Sequence, residues 1–260
     1  MPAKLINGAP VVFRYQSATP LKSLEGSFLG KRVFFRFDPA SNAWFGLAGV
    51  DYDTKPGNHD LVLTAVATNG QKDSFAQVVP VAKGYYRTSS LSVPPKFVDP
   101  DPADLARILR ERDLKNEVLN RITNAPLWKG SFVAPASLGT TSEFGSQRTY
   151  NGKRQSVHQG LDYGAGTGTP IHAINSGKVI LARDMYYEGN CVVIDHGQGL
   201  LSLYFHLSQF KTKEGDSVTK GQLIALSGGT GRATGPHLHL AVRWQGSYLN
   251  PATLLGLKLP

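Results

Sequence analysis

The stretch His-Leu-His-Leu-Ala-Val at residues 237–242 has the apolar, β-branched character of a buried β-strand. Side chains alternate between the two faces of a strand, so His237 and His239 point to the same face and lie close together. Two neighbouring imidazoles fit poorly in an apolar core. We therefore interpret this strand as one wall of a functional site.

The sequence around this strand continues the β pattern. From about residue 130 the chain is rich in glycine and has almost no helical periodicity, and six of the seven histidines fall in this part. Its apolar runs are residues 178–181, 191–194, 201–205 and 222–226. These runs predict an all-β domain over residues 126–260.

The first 98 residues also predict short strands separated by turns. Residues 33–37, 61–66 and 78–81 are β-branched or aromatic runs bounded by Pro, Gly, Asn and Asp. Their spacing is typical of a small antiparallel β-sandwich. We expect a mainly β fold, in which residues 1–98 form an accessory β-sandwich-like domain.

A linker with an amphipathic helix is predicted between the two β regions, over residues 99–125. Apolar residues recur at mostly helical spacing from residue 102 to residue 122. Asp101 is suited to be the N-cap residue and Pro102 to be the first helical residue. We expect this helix to brace one domain against the other.

Composition excludes several classes of protein. The chain has 260 residues, of which 41% are hydrophobic and 18% charged, and this excludes disorder as the main state. No apolar run is long enough to cross a bilayer. Cys191 is the sole cysteine, which excludes an intramolecular disulfide and a multi-cysteine zinc site. The formal charge of +9 favours an anionic partner such as nucleic acid, acidic lipid or a cell-wall polymer.

The histidines and one aspartate form a candidate metal site. His158 and Asp162 are four residues apart, and a ligand set of two imidazoles and one carboxylate is common for catalytic zinc. Spacing alone leaves open which histidine of the 237–239 pair binds the metal. Alternation also places Tyr204 and His206 on one face of another strand. The histidines that do not bind metal are then available for proton transfer.

Several distinctive blocks follow one another along the last part of the chain. They are His158-x-x-x-Asp162-Tyr163, Gly168-Thr169-Pro170-Ile171, Gly177-Lys178-Val179, Val193-Ile194-Asp195-His196-Gly197, Leu203-Tyr204-Phe205-His206-Leu207-Ser208, Gly215-Asp216-x-Val218-x-Lys220-Gly221-Gln222 and Gly229-Thr230-Gly231-x-x-x-Gly235-Pro236-His237-Leu238-His239. In this order they resemble the lysostaphin-type zinc endopeptidases that cut bacterial peptidoglycan. The resemblance runs from about Phe144 to about Leu255.

The resemblance implies a role for each matching residue. It implies Zn²⁺ as the cofactor and an open antiparallel β-sheet with a groove over the metal. Tyr204 is a weaker candidate for contact with the oxyanion or the substrate. The implied zinc ligands are His158, Asp162 and His239, and the implied catalytic residues are His206 and His237.

The resemblance also implies peptidoglycan peptides as the partner and a periplasmic, extracellular or cell-wall location. Residues 1–8 lack the features of a secretory signal. We interpret the signal as having been cut away, because peptidoglycan lies outside the cytoplasmic membrane. Some members of the family are inhibited by an upstream segment. We therefore hypothesise that residues 1–98 dock across the cleft and restrict access to it.

Two alternatives from other classes remain. A catalytically inactive relative would use the same fold to bind wall peptides or to regulate another hydrolase. A nucleic-acid-binding module is prompted by the positive charge, but the basic residues are dispersed and no recognition motif accompanies them. The sequence favours an active enzyme that cuts peptide cross-links or stem peptides.

Overall fold

The chain folds mainly into strands, as expected. This computed structural model describes residues 4–152 and 154–260. Its strands β1 to β19 are, in order, Pro10–Tyr15, Leu21–Phe28, Lys31–Asp38, Ala43–Gly49, Gly57–Ala67, Lys72–Val81, Thr88–Leu91, Thr140–Ser142, Gln147–Tyr150, Arg154–Val157, Gly160–Tyr163, Pro170–His172, Gly177–Met185, Gly189–Asp195, Leu200–Phe210, Ser217–Val218, Leu223–Ser227, Leu238–Trp244 and Ser247–Leu249. The α-helices are α1 (Pro102–Leu119) and α2 (Pro251–Gly256), and Pro95–Phe97 form a 3₁₀ turn.

The first six strands form one antiparallel sheet in the order β1-β4-β3-β2-β5-β6. This sheet curls so far that its two outer strands come together. The ring centroid of Tyr15 on β1 lies 5.4 Å from that of Phe75 on β6. Gly26 and Gly46 permit the curl: a Cβ at either position would lie within 3.0 Å of the Phe35 ring. A single curled sheet thus supplies both facing layers of the sandwich-like fold expected here.

The last part of the chain forms a ten-stranded antiparallel sheet. Its main path is β16-β13-β14-β15-β18-β11-β8, to which β12, β17 and β19 are attached. Strand β15 changes partner along its length. Residues Leu200 to Phe205 pair with β18, whereas Leu207 to Phe210 pair with β17. The fold class, including this sheet with its groove, is confirmed.

A separate three-stranded sheet joins distant parts of the chain. Strand β7 pairs in parallel with β9, and β9 pairs antiparallel with β10. The predicted boundary at residue 98 lies between β7 and β9 in sequence. The division into three domains therefore stays a prediction, since this sheet contains strands from both sides of that boundary.

The predicted linker helix is present as α1. It begins at Pro102, and the side chain of Asp101 accepts a hydrogen bond from the backbone N–H of Asp104 at 2.8 Å. The helix packs against the ten-stranded sheet through Leu119 and through an ion pair of 2.5 Å between Lys115 and Glu188. None of the helices in the described ranges has the length and apolar character to span a membrane.

The curled sheet and the ten-stranded sheet share one hydrophobic core. Leu249 on β19 is fully buried, and a Cβ at Gly49 on β4 would lie 2.5 Å from its Cδ1. A backbone hydrogen bond also connects the two parts of the chain, from the N–H of Asn250 to the carbonyl of Gly8 at 2.7 Å. The two sheets consequently have fixed positions relative to each other.

Gly49→Ala tests this close packing. The added methyl group must displace Leu249, so we expect the free energy of unfolding to fall by about 1–3 kcal/mol. Gly139→Ala is the matched control, because a Cβ at Gly139 meets no atom within 4 Å. Chemical denaturation monitored by tryptophan fluorescence measures both variants. Equal stability of the two variants would contradict a tightly packed junction.

Candidate active site

Three predicted ligand residues meet at one point of the ten-stranded sheet. Asp162 on β11 lies directly opposite His239 on β18 in the antiparallel register, and His158 stands in the short loop before β11. Asp162 Oδ1 is 2.8 Å from His239 Nδ1 and 3.0 Å from His158 Nε2. The two imidazole nitrogens are also 3.0 Å apart. The structure thus brings together one carboxylate oxygen and two imidazole nitrogens.

Each ligand is oriented by a neighbour outside the cluster. His158 Nδ1 donates to the backbone carbonyl of Glu143 at 2.8 Å, which directs Nε2 towards the cluster. The ring of His239 stacks on Phe205 with an interplanar angle of 4°. Asp162 Oδ2 accepts a hydrogen bond of 2.8 Å from Arg148, which leaves Oδ1 for the cluster. All three ligand atoms therefore point inward.

The protonation of the cluster suits metal binding. Burial lowers the pKa of His239 to about 4, so its imidazole is neutral at pH 7. Burial raises the pKa of Asp162, but contacts with His158 and His239 outweigh this effect and hold the pKa well below its ordinary value. Metal ligands must be deprotonated, and both groups meet this condition. The described residues contain this set of closely grouped ligand atoms as a candidate metal centre.

Two further histidines stand beside the cluster. The rings of His206 and His237 lie 4.6 Å apart, and His237 Nε2 is 3.9 Å from Asp162 Oδ1. His206 Nδ1 donates to the carbonyl of Thr230 and His237 Nδ1 to that of Gly235, each at 2.8 Å. These bonds fix the tautomers, and neither Nε2 atom has a backbone partner among the described residues.

His206 has an unusual backbone conformation. Its φ of +62° lies in the left-handed region, which is costly for a residue other than glycine. It stands at the point where β15 changes its partner from β18 to β17. Burial, followed by the neighbouring His237 and His239, lowers the pKa of His206 to about 3. The imidazole is thus held neutral in a strained position next to the cluster.

An open groove of about 450 Å³ passes over these side chains. One wall consists of Ser89, Leu91 and Val93 from β7 and the residues after it. The remaining lining residues are Thr141, Ser142, Arg148, Tyr150, Asp162, His206, Arg232, Thr234, Gly235, Pro236, His237 and His239. An extended chain can therefore reach the cluster from solvent.

Comparison with known proteins assigns the region around the cluster. The profile of peptidase family M23 matches residues 156–251, which include the five predicted histidine and aspartate positions. Residues 156–251 are called the M23 domain below, after the family that they match. The M23 domain resembles two curated proteins, the peptidoglycan DD-endopeptidase ShyA of Vibrio cholerae serotype O1 and the DD-carboxypeptidase/endopeptidase Mpg of Neisseria meningitidis serogroup B. ShyA is 44% and Mpg 42% identical over 98 residues, which are 38% of this chain and 23% of each relative.

The likeness to a solved structure extends beyond the M23 domain. A crystal structure from Pseudomonas aeruginosa, assigned to peptidase M23, has a TM-score of 0.74 and 27% identity. The alignment covers 97% of this chain and 96% of that one. The curled sheet and the M23 domain thus recur together in that structure, whereas the chain spans under a quarter of the length of ShyA and Mpg.

The prediction for Tyr204 is wrong. Its side chain is fully buried in the core of the M23 domain, where the hydroxyl accepts a hydrogen bond of 2.9 Å from the backbone N–H of Ile174. The Tyr204 hydroxyl oxygen also lies 3.1 Å from Ser202 Oγ. Simple alternation placed Tyr204 and His206 on one face, but the left-handed φ at His206 interrupts the alternation. Tyr204 supports the fold beneath the groove and does not line it.

Sequence reasoning missed two arginines of the groove. Arg148 donates to Asp162 Oδ2 at 2.8 Å and to Ser142 Oγ at 2.7 Å. Arg232 lies in the loop between β17 and β18, 4.6 Å from the centroid of the Tyr150 ring. The alternation of Arg148 and Tyr150 on a short strand shortly before His158 was the available signal. It indicates a polar face directed at the cluster.

Gly160→Ala tests the geometry of the cluster. A Cβ at this position would lie 2.4 Å from His239 Nε2 and 2.6 Å from the Leu240 carbonyl oxygen, so the imidazole must move. We expect affinity for a divalent metal to fall about 10- to 100-fold, as for other disturbances of ligand support. Competition with a chromogenic chelator measures the affinity. Gly166→Ala is the matched control, because its Cβ would meet no atom within 4 Å. Equal affinity of the two variants would show that His239 need not occupy its observed position.

Proposed function

We propose that this chain is a zinc-dependent endopeptidase that hydrolyses peptide bonds in bacterial peptidoglycan. The observation that carries the proposal is the position of His206 and His237 next to the cluster of His158, Asp162 and His239, at the base of an open groove. A relative named as a peptidoglycan DD-endopeptidase, ShyA, supports the substrate class.

The donor set of the cluster supports zinc as the metal. Two imidazoles and one carboxylate are typical of catalytic zinc sites, which keep a fourth position open. Ligand atoms about 2.0–2.1 Å from a tetrahedral zinc lie roughly 3.3 Å apart. The ligand atoms of His158, Asp162 and His239 are 2.8–3.0 Å apart, so a small widening would admit the ion. Zinc supplies Lewis acidity at such a site.

The two remaining histidines supply proton transfer and charge stabilisation. His206 and His237 hold their Nδ1 atoms on backbone carbonyls, so each can use Nε2 towards a peptide in the groove. An imidazole in this position accepts a proton from an attacking water, and its protonated form donates to the leaving amine. A histidine that is protonated at Nε2 also donates to the negative charge that develops on the peptide oxygen.

The proposed substrate also sets the compartment and the bond. Peptidoglycan lies outside the cytoplasmic membrane, so we propose a periplasmic, extracellular or cell-wall location. The names of ShyA and Mpg favour a bond between D-residues, as found in peptide cross-links.

The formal charge of +9 favours association with anionic wall polymers and makes that association sensitive to salt. An inactive relative is less favoured, because the candidate ligands and both neighbouring histidines are present.

Digestion of purified sacculi by the zinc-loaded protein tests the activity. We expect new peptide termini, detected by mass spectrometry of the released muropeptides. His239→Ala should lose both metal and cleavage, whereas His206→Ala and His237→Ala should keep the metal and lose about 10²- to 10⁴-fold in kcat. His59→Ala, a change in the curled sheet, is the matched control. Binding of sacculi without any cleavage by the unmodified protein would favour the inactive relative.

Restricted access to the groove is a second proposal. The curled sheet packs beside α2 and β19, but Leu91 and Val93 line the groove. Asn151 holds this wall: its side-chain amide accepts from the N–H of Val93 and donates to the Val93 carbonyl, both at 2.9 Å. We propose that this wall, rather than the curled sheet, is the part of residues 1–98 that narrows the cleft.

Asn151→Gly tests this second proposal in the full chain. The backbone of Asn151 has a φ of +50°, which glycine adopts without strain. The variant therefore removes only the two side-chain hydrogen bonds to Val93. We expect kcat/KM for sacculi to rise several-fold because the wall can move aside. Asn42→Gly is the matched control, since Asn42 has a φ of +48° and lies in the turn between β3 and β4, outside the groove wall. Unchanged or lower kcat/KM in Asn151→Gly would show that the wall does not restrict access.

A further inference from the structure

Arg232 has an arrangement that the hydrolysis of a peptide bond does not explain. Its guanidinium carbon lies 4.6 Å from the centroids of both the Tyr150 and the Tyr187 rings. Contact with aromatic faces holds a guanidinium by cation–π attraction without consuming its N–H donors. Two such contacts position the Arg232 side chain at the groove.

Arg232 has no carboxylate partner in the part of the chain that the structure describes. Across residues 4–152 and 154–260, no carboxylate lies within ion-pair distance of its guanidinium, and its side-chain N–H groups have no hydrogen-bond acceptor. The other groove arginine, Arg148, differs in this respect because it is paired with Asp162 at 2.8 Å. The groove therefore contains one arginine whose hydrogen-bonding capacity is available to a ligand.

The loop that carries Arg232 is held firmly. The N–H of Arg232 donates to the Tyr187 carbonyl at 2.8 Å, and Thr230 Oγ1 accepts from the N–H of Asn190 at 2.9 Å. A Cβ at Gly231 would lie 2.3 Å from the backbone nitrogen of Gly189, so the loop is in close contact with the hairpin of β13 and β14. Arg232 is thus preorganised, which reduces the entropy lost when it binds a ligand.

The same loop also positions both candidate catalytic histidines. The Thr230 carbonyl accepts the hydrogen bond from His206, and the Gly235 carbonyl accepts the one from His237. Arg232 lies between these two carbonyls in sequence. A group bound by Arg232 is consequently held at a defined place relative to the reacting peptide bond.

We propose that Arg232 binds a carboxylate of the peptide substrate and thereby selects anionic peptides. Guanidinium groups recognise carboxylates through two parallel N–H donors, and this geometry is specific as well as strong. The inference rests on the proposed function, because it assigns the substrate of that same groove. The carboxylate can be the carboxyl terminus of the peptide or a side-chain carboxylate near the scissile bond.

Synthetic cross-linked stem peptides distinguish these two sources. One peptide keeps all its carboxylates, a second has its carboxyl termini amidated, and a third has its side-chain carboxylate amidated. We expect the zinc-loaded full chain to lose about 10- to 100-fold in kcat/KM on one of the amidated peptides, mainly through KM, because a charge-assisted pair is lost. The peptide that is affected identifies the carboxylate.

Arg232 variants assign that preference to the arginine. Arg232→Gln should cleave the free and the amidated peptides at equal rates, and Arg232→Lys should keep part of the preference. Arg112→Gln, which changes an exposed arginine on α1, is the matched control and should keep all of it. Thermal unfolding verifies that each variant is folded. A preference that persists in Arg232→Gln, or a uniform loss on all three peptides, would overturn the inference.

Direct binding separates this inference from the proposed function. Calorimetry with the same peptides measures Kd for the full chain and for Arg232→Gln, whether or not cleavage occurs. If the chain cleaves none of the peptides but binds the free one more tightly through Arg232, the inference stands and the endopeptidase proposal fails. Equal Kd for free and amidated peptides in the unmodified chain would refute the role of Arg232 independently of any activity.

Discussion

The pairing of Asp162 with His239 across β11 and β18 is the contact on which the rest of the site depends. A strand register is a discrete property, so a slip of one residue would turn every side chain of β11 to the other face. In the observed register both ligands project to one side, and the loop before β11 brings His158 to within 3.0 Å of each. A buried carboxylate requires compensating partners, and Arg148 provides one on the oxygen that faces away from the cluster.

A second constraint concerns His206. Strand β15 must pair with β18 at one end and with β17 at the other, and a regular strand cannot do both. The left-handed conformation of His206 accommodates this change of partner, at a cost of roughly 1–3 kcal/mol. Packing of the buried core around the sheet offsets this cost. In this conformation the imidazole of His206 faces the cluster. In a regular strand the side chain at this position would point elsewhere.

The same irregularity explains which parts of the site could be predicted from sequence. His158, Asp162, His237 and His239 lie in short motifs whose spacing is retained in regular strands and tight loops. Tyr204 was misplaced because no sequence rule for alternation anticipates a break at His206. Arg148 and Arg232 belong to no motif that carries chemistry by itself. Their importance arises only when the three-stranded sheet and the loop after β17 bring them to the groove.

The three-stranded sheet also explains why the amino-terminal part bears on the chemistry. Strand β7 belongs to residues 1–98, yet its parallel pairing with β9 fixes the strand that presents Arg148 and Tyr150. Arg148 orients Asp162, and Tyr150 contacts Arg232. A displacement of β7 would therefore alter both the orientation of the candidate metal ligand Asp162 and the position of Arg232. The groove is accordingly built by both parts of the chain, and the positions of Asp162 and Arg232 both depend on one small sheet between them.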